Sequence, residues 1–310
     1  MYTIGVDLGG TNIAAGIVNE KHTITARASV PTKAGRDFDE IIADMGALIL
    51  GLLKEQHVRL DEVKYIGIGA PGMLDNETGT VTDNSNIHWV NYPIRQKLQQ
   101  YIKKPVYLGN DANVAAWAEY QNGCGRGSKN FLMLTLGTGV GGGIVINGKL
   151  YTGSHNIAAE IGHTTFKAGG EKCGCGNHGC IEAYCSATAL IRDAKRAAET
   201  HPESLIAKAK TISAKTVLDA AAAGDKLGLS LFEEYVSNLA QVIASLINFL
   251  DPEIIALGGG VANAGEFLLA PLRREFPKYV TFASLQKTKI LKAEMGNDAG
   301  IIGSALLGEE

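Results

Sequence analysis

The chain has 310 residues and a formal net charge of −3, with 29 basic and 32 acidic side chains interspersed along it. That length suits two domains of ordinary size, each able to bury its own core. The charge leaves no basic footprint for nucleic acid, and no run approaches the ~20 uninterrupted apolar residues of a membrane span. Met1-Tyr2-Thr3 leads straight into the run Ile4-Gly5-Val6-Asp7, without the basic start of a signal peptide, so the chain reads as cytoplasmic.

In chain order, Tyr2–Leu8 and Ile13–Val18 read as strands, with Asn19-Glu20 as a turn before a third strand, His22–Val30. From Asp37 to Gln56, Phe38, Ile41, Ile42, Met45, Leu48, Ile49, Leu52 and Leu53 recur at helical spacing. A buried-type strand follows at Val63–Ala70, closed by Pro71-Gly72, and a short one at Pro105–Gly109 runs into a helix from Asp111. Phe131–Leu136 and Gly142–Ile146 form a second hairpin, with Asn147-Gly148 at a type I′ turn position. Further on, Ser186 can cap a helix reaching Glu199. A long helical pattern from Asp225 to Leu250 stops at Asp251-Pro252, and a strand at Glu253–Leu257 ends in three glycines. The final helix starts near Asp298.

Two of these loops match in character. Asp7-Leu-Gly9-Gly10-Thr11-Asn12 precedes Gly16-Ile17-Val18, and Thr135-Leu-Gly137-Thr138-Gly139-Val140-Gly141 precedes Gly143-Ile144-Val145. The match implies two similar half-molecules, or else chance likeness between glycine-rich turns. Glycine lets successive amides approach phosphate oxygens, and Thr11 can add a donor. Asp7 repels phosphate but can hold Mg2+. Gly258-Gly259-Gly260 is a third such loop. None is a Walker loop or a dinucleotide fingerprint, and each taken alone could be only a hairpin. Asn110-Asp111 is open to two readings: Asp111 as a helix N-cap, or as a general base toward a substrate hydroxyl.

Between Glu160 and Glu182 stand His163 and then Cys173, Cys175 and Cys180, spaced C-x-C-x4-C among glycines. One imidazole and three thiols supply the ligands of a closed tetrahedral zinc site. With no open position for water, the metal is structural and folds the loop carrying Glu160 and Glu182. Disulfides or idle thiols are the alternative; the five cysteines leave one unpaired under any full disulfide scheme.

Together these motifs, with Gly69-Ala-Pro-Gly72, Glu160-x-Gly-His163 and Leu257-Gly-Gly-Gly260, resemble the ROK family of sugar kinases and sugar-responsive repressors over nearly the whole chain. The bacterial ATP-dependent glucokinase branch is the most similar. The resemblance implies an α/β, two-lobed actin-like ATPase (ribonuclease H-like) fold. Its lobes would be residues 1–115 with 298–310, and residues 116–297 with the zinc loop. ATP, with Mg2+, would lie between lobes, its phosphates on the loops of Asp7, Gly9, Gly10, Thr11, Asn12 and of Gly137, Thr138, Gly139, Gly141, and its adenosine near Gly258, Gly259 and Gly260. A hexose would be held by Gly72, Asn86, Asn110, Asp111, Glu160, His163 and Glu182. His163 would bind zinc through one nitrogen and a sugar hydroxyl through the other, and Asp111 would take the 6-hydroxyl proton. The implied enzyme is a glycolytic glucokinase, homodimeric or homotetrameric. Kinases of fructose, mannose, N-acetylmannosamine or N-acetylglucosamine, or a non-catalytic sugar sensor, stand as alternatives, and polyphosphate as an alternative donor. The early first strand leaves no room for an N-terminal DNA-binding helix-turn-helix, which points away from the repressor branch.

Overall fold

The computed structural model describes residues 1–84 and 89–309. It runs β1 (Tyr2–Leu8), β2 (Asn12–Asn19), β3 (Ile24–Pro31), α1 (Phe38–Glu55), β4 (Val63–Ala70), β5 (Met73–Asp75), β6 (Thr80–Asn84), β7 (Trp89–Tyr92), α2 (Ile94–Leu98), β8 (Val106–Asn110) and α3 (Asp111–Asn122). Next come β9 (Phe131–Leu136), β10 (Val140–Ile146), β11 (Lys149–Leu150), α4 (Glu182–Cys185), α5 (Ala187–Ala198), α6 (Ala214–Ala222) and α7 (Lys226–Leu250). The chain closes with β12 (Ile254–Gly258), α8 (Gly259–Ala262), α9 (Glu266–Glu275), β13 (Lys289–Lys292) and α10 (Ala299–Ala305). Two compact units result. The first holds Met1–Gly127, Gly143–Ala159 and the segment from Met295 onward; the second holds Ser128–Gly142 and Glu160–Glu294.

The two large sheets share one plan. The first has the order β3-β2-β1-β4-β8 and the second β11-β10-β9-β12-β13. In both, a hairpin strand pair is followed by parallel strands: β1 pairs β4 and β4 pairs β8, as β9 pairs β12 and β12 pairs β13. The matched glycine loops therefore occupy equivalent corners, and they are not a chance likeness of turns.

In the first unit, β1 is buried along nearly its whole length and β3 alternates half-buried with exposed, as a central and an edge strand should. Asp37 caps α1 by accepting from the Asp39 amide. The α1 stripe Ile41, Ile42, Met45, Ile49, Leu52 and Leu53 packs into the core with Val6, Ile13 and Ile68. Each such side chain contributes roughly 1.5–3 kcal/mol by burial, so a charge at Ile41 would break this packing. On the sheet's other side α10 lies against bare backbone: a Cβ on Gly67 would stand 1.7 Å from the Ser304 carbonyl oxygen.

The second unit is anchored by α7, capped by Asp225, which accepts from Gly228, and ended by Asp251 in the left-handed region (φ 43°) ahead of Pro252. At the β10–β11 turn Asn147 (φ 51°) and Gly148 (φ 80°) both adopt positive φ, as a type I′ turn requires.

Several elements differ from the sequence reading. A three-stranded sheet, β5-β6-β7, intervenes after Gly72, and its Trp89 and Tyr92 rings pack with Phe38. α9 forms despite Pro271 inside it. The third strand begins at Ile24, because His22 sits in a turn with φ 56°. Gly258 ends β12 and Gly259-Gly260 open the helical turn α8, so that segment is a strand–helix junction and not an open loop.

Candidate active site

In the first unit Asp7, Gly69 and Gly109 lie side by side across β1, β4 and β8, and Ala70 stands beside Asn110. These are the carboxyl ends of parallel strands, where α/β sheets bind ligands. Asn110, not Asp111, is the N-cap of α3. Its side-chain oxygen accepts from the Ala112 and Asn113 amides at 3.0 and 3.2 Å, and its amide group donates to the Gly72 carbonyl at 3.3 Å. Asp111 is the first helical residue and, among the described residues, accepts only locally, from the Ala112 amide at 2.8 Å. The cap reading of Asp111 is thereby corrected, and its outer oxygen is available for other chemistry.

The surroundings of these carboxyls are unfavourable to charge. Asp111 touches solvent, yet the protein packed around it desolvates the carboxyl and pushes it above the usual range. Burial, and then the charge of Asp111, raise Asp7 to about 6. α10 presses close on Asp7, since a Cβ on Gly300 would come within 2.5 Å of its carboxylate oxygen. Two neighbouring acids that resist ionisation fit a cation-binding or proton-accepting role. In the loop beyond Asp7, the Gly9 amide donates to the Asn12 carbonyl at 2.9 Å and Thr32 Oγ1 donates to the Gly9 carbonyl at 2.6 Å. Thr11 and Asn12 are exposed and Gly10 half-buried.

In the second unit His163, Cys173, Cys175 and Cys180 each offer a ligand atom, all within 4.8 Å of one another. Cys175 and Cys180 sulfurs are 3.7 Å apart, and Cys173 Sγ is 3.6 Å from His163 Nδ1. A tetrahedral zinc with ~2.3 Å bonds to sulfur has edges of about 3.8 Å, whereas a disulfide needs ~2.05 Å, so the four side chains fit a metal ion and not a disulfide. Burial pushes the Cys173 thiol up to about 12 and Cys180 above its usual range, while the Asn177 amide lowers Cys175. A bound cation would supply what these thiols need to ionise. The loop is pinned by its backbone: Cys173 N donates to Asn177 O, and Ile181 N to Thr164 O. Gly162, in the Glu160-x-Gly-His163 turn, must be glycine, because a Cβ there would meet the Val140 carbonyl at 2.0 Å.

His163 turns Nδ1 to the cysteines. Glu182 accepts from the Val140 amide at 3.0 Å through one oxygen and lies 3.6 Å from Cys173 Sγ with the other. Glu160 is exposed. In the second glycine loop the Gly137 amide is spent on the Gly139 carbonyl and the Gly141 amide on Thr135 Oγ1, while Thr138 is exposed. Thr135 was not singled out from sequence as a functional residue, although its alignment with Asp7 in the repeat marks it. Asn86 lies outside the described residues. No described helix is long and apolar enough to cross a membrane.

The ROK family profile matches residues 3–310. The chain belongs to the ROK family. Among its ROK relatives, a glucokinase of Halalkalibacterium halodurans is 38% identical over 99% of this chain and 94% of that protein. An N-acetylmannosamine kinase of Haemophilus influenzae is 32% identical over 98% of this chain and 94% of its own length. The crystal structure of a ROK family glucokinase from Streptomyces griseus, in complex with glucose and AMPPNP, superimposes with a TM-score of 0.84 at 36% identity, covering 100% of both chains. This ROK chain thus has the actin-like ATPase fold, and its two similar sheets are that fold's two halves.

Proposed function

We propose that this ROK sugar kinase is a glucokinase, moving the γ-phosphoryl group of ATP to the 6-hydroxyl of glucose with Asp111 as general base. The observation that carries the reading is Asp111. It stands at the carboxyl end of a parallel strand, its capping duty is taken by Asn110, and the protein packed around it raises its carboxyl above the ordinary range. As the 6-oxygen attacks the γ-phosphorus, the bond to the β,γ-bridging oxygen breaks, ADP leaves, and the hydroxyl proton passes to Asp111. The raised pair of Asp7 and Asp111 supports Asp7 as the group holding Mg2+, which would neutralise phosphate charge. The glycine loops at Gly9–Asn12 and Gly137–Gly141 would receive the phosphates and the β12–α8 junction the adenosine. Glu160, Glu182, Asn110, Gly72 and Asn86 would hold the sugar, joined by the ring nitrogen of His163 turned away from the cysteines. Zinc on His163, Cys173, Cys175 and Cys180 would be structural, because four protein ligands complete its coordination.

The identity of the hexose rests on relatives at 36–38% that are glucokinases. Steady-state ADP production with Mg-ATP and a panel of glucose, mannose, fructose, N-acetylglucosamine and N-acetylmannosamine tests it. Glucose should give the highest kcat/KM; an N-acetylated hexosamine ahead of glucose would reassign the substrate, and no turnover of any sugar would sink the kinase reading.

A further inference from the structure

The segment immediately after the metal-ligand Cys180 grips the second glycine loop at three points. The Val140 amide donates to Glu182, the Ala187 amide donates to the Gly137 carbonyl at 2.8 Å, and Thr188 Oγ1 donates to the Thr138 carbonyl at 2.7 Å. The Ala187 bond is economical: it is the first amide of α5, one of the donors a helix start leaves without an intrahelical partner. Thr188 adds a side-chain donor one residue on.

The direction of these bonds matters more than their number. A trans peptide is planar, so its carbonyl and the following amide point opposite ways. Fixing the Gly137 and Thr138 carbonyls toward α5 therefore turns the Thr138 and Gly139 amides away from it. Those two amides have no acceptor among the described residues, while Gly137, Val140 and Gly141 already do. Successive amides aimed outward form a concavity suited to an anion.

We propose that Thr188 is a positioning residue for the nucleotide: by holding the Thr138 carbonyl it aims the Thr138 and Gly139 amides at a phosphate group of ATP. The proposal rests on the kinase reading above. It adds a residue outside the glycine motifs, and it ties the phosphate loop to the segment that leaves the metal cluster.

The test uses full-length Thr188→Val, which keeps the shape and removes the donor, and Thr188→Ser, which restores it. Titration with AMPPNP, kinetics against ATP and hexose, zinc content and thermal unfolding are read on all three proteins. Thr188→Val should weaken AMPPNP binding and raise KM for ATP by about five- to ten-fold, the loss of roughly one hydrogen bond. Hexose KM, zinc content and Tm should stay near wild type, and Thr188→Ser should recover most of the nucleotide affinity. Unchanged AMPPNP affinity in Thr188→Val overturns the proposal. So does an equal loss of nucleotide and hexose affinity with a lowered Tm, which would mark a merely structural role. A wild-type protein that neither binds AMPPNP nor makes ADP would overturn the kinase reading instead, and this inference with it.

Discussion

Asp7 and Thr135 occupy the same place in two sheets of one topology: Asp7 stands beside Gly69 across β1 and β4, and Thr135 beside Gly258 across β9 and β12. In the first sheet that corner carries a carboxylate, with a second at Asp111. In the second it carries a hydroxyl that accepts from the Gly141 amide. The loops beyond them diverge likewise. The first closes a wider turn, Gly9 N to Asn12 O, and is tied by Thr32; the second closes a tighter one, Gly137 N to Gly139 O, and is tied by α5 and Glu182. One sheet plan thus carries two different corners: a pair of carboxylates in the first, and in the second a hydroxyl with a loop held by the segment that follows Cys180.

The largest expected effect separates these roles at once. Asp111→Asn should lower kcat by ~10²–10⁴, since an amide can still hydrogen-bond a hydroxyl but is no useful base, with both binding affinities nearly unchanged and Tm at neutral pH no lower than wild type, because a desolvated charge is removed. Steady-state kinetics beside thermal unfolding reads both. Retained kcat would leave Asp111 as only the first residue of α3.

Next in size is Cys175→Ser, in the other half. Loss of one thiolate should release most of the metal and weaken hexose binding, because Glu182 and His163 are held by that loop. The grip of residues 182–188 on the Gly137 loop should carry part of the damage to nucleotide binding. Elemental analysis checks the metal, and Cys124→Ser, outside the cluster, should keep it.

A smaller effect probes the cost of the carboxylate pair. Because the folded-state value of Asp7 is raised from 3.8 to about 6, the native state binds more protons than the unfolded chain between those values. Stability of the ligand-free protein therefore falls as pH rises from about 4 to about 6, and the full cost is present above that. Asp7→Asn should remove it, raising stability at pH 8 by about 1–2 kcal/mol after discounting for solvent screening of a partly exposed group, with no gain below pH 4. Activity should fall in the same variant. A Tm that drops at pH 8 would show that the half-buried carboxylate is stabilised in the folded chain, contrary to the cost expected from its desolvation.

The smallest is Thr11→Val against Thr138→Val. Each removes one exposed hydroxyl from an equivalent loop, and each should raise KM for ATP by a few-fold, more than KM for hexose. An equal rise in both constants would indicate loosened packing of that unit.

Much of this was legible because the signals were local and periodic. β1, β4 and β9 are long apolar runs bounded by turn residues, and the α1 stripe repeats at helical spacing. The grouping of His163, Cys173, Cys175 and Cys180 was legible because the four residues are close in sequence and alike in offering a metal-ligating atom. The β5-β6-β7 sheet was not: its strands are short, mix exposed Met73 and Val90 with buried Leu74 and Trp89, and are held by aromatic contacts to Phe38 that no local pattern announces. α9 was hidden by Pro271. Asn110 and Asp111 are adjacent and both suited to capping, so only the folded chain shows that Asn110 is the cap. Thr188 has no motif at all; its importance comes from where α5 begins.

The two halves should fail in different ways. Titration of glucose and AMPPNP into Asp111→Asn and Cys175→Ser, beside wild type and with zinc measured on each, tests this most directly. Asp111→Asn should keep its metal and bind both ligands while losing turnover, and Cys175→Ser should lose metal and hexose affinity together. A metal-free Cys175→Ser that binds glucose like wild type, or an Asp111→Asn that turns over normally, would contradict it.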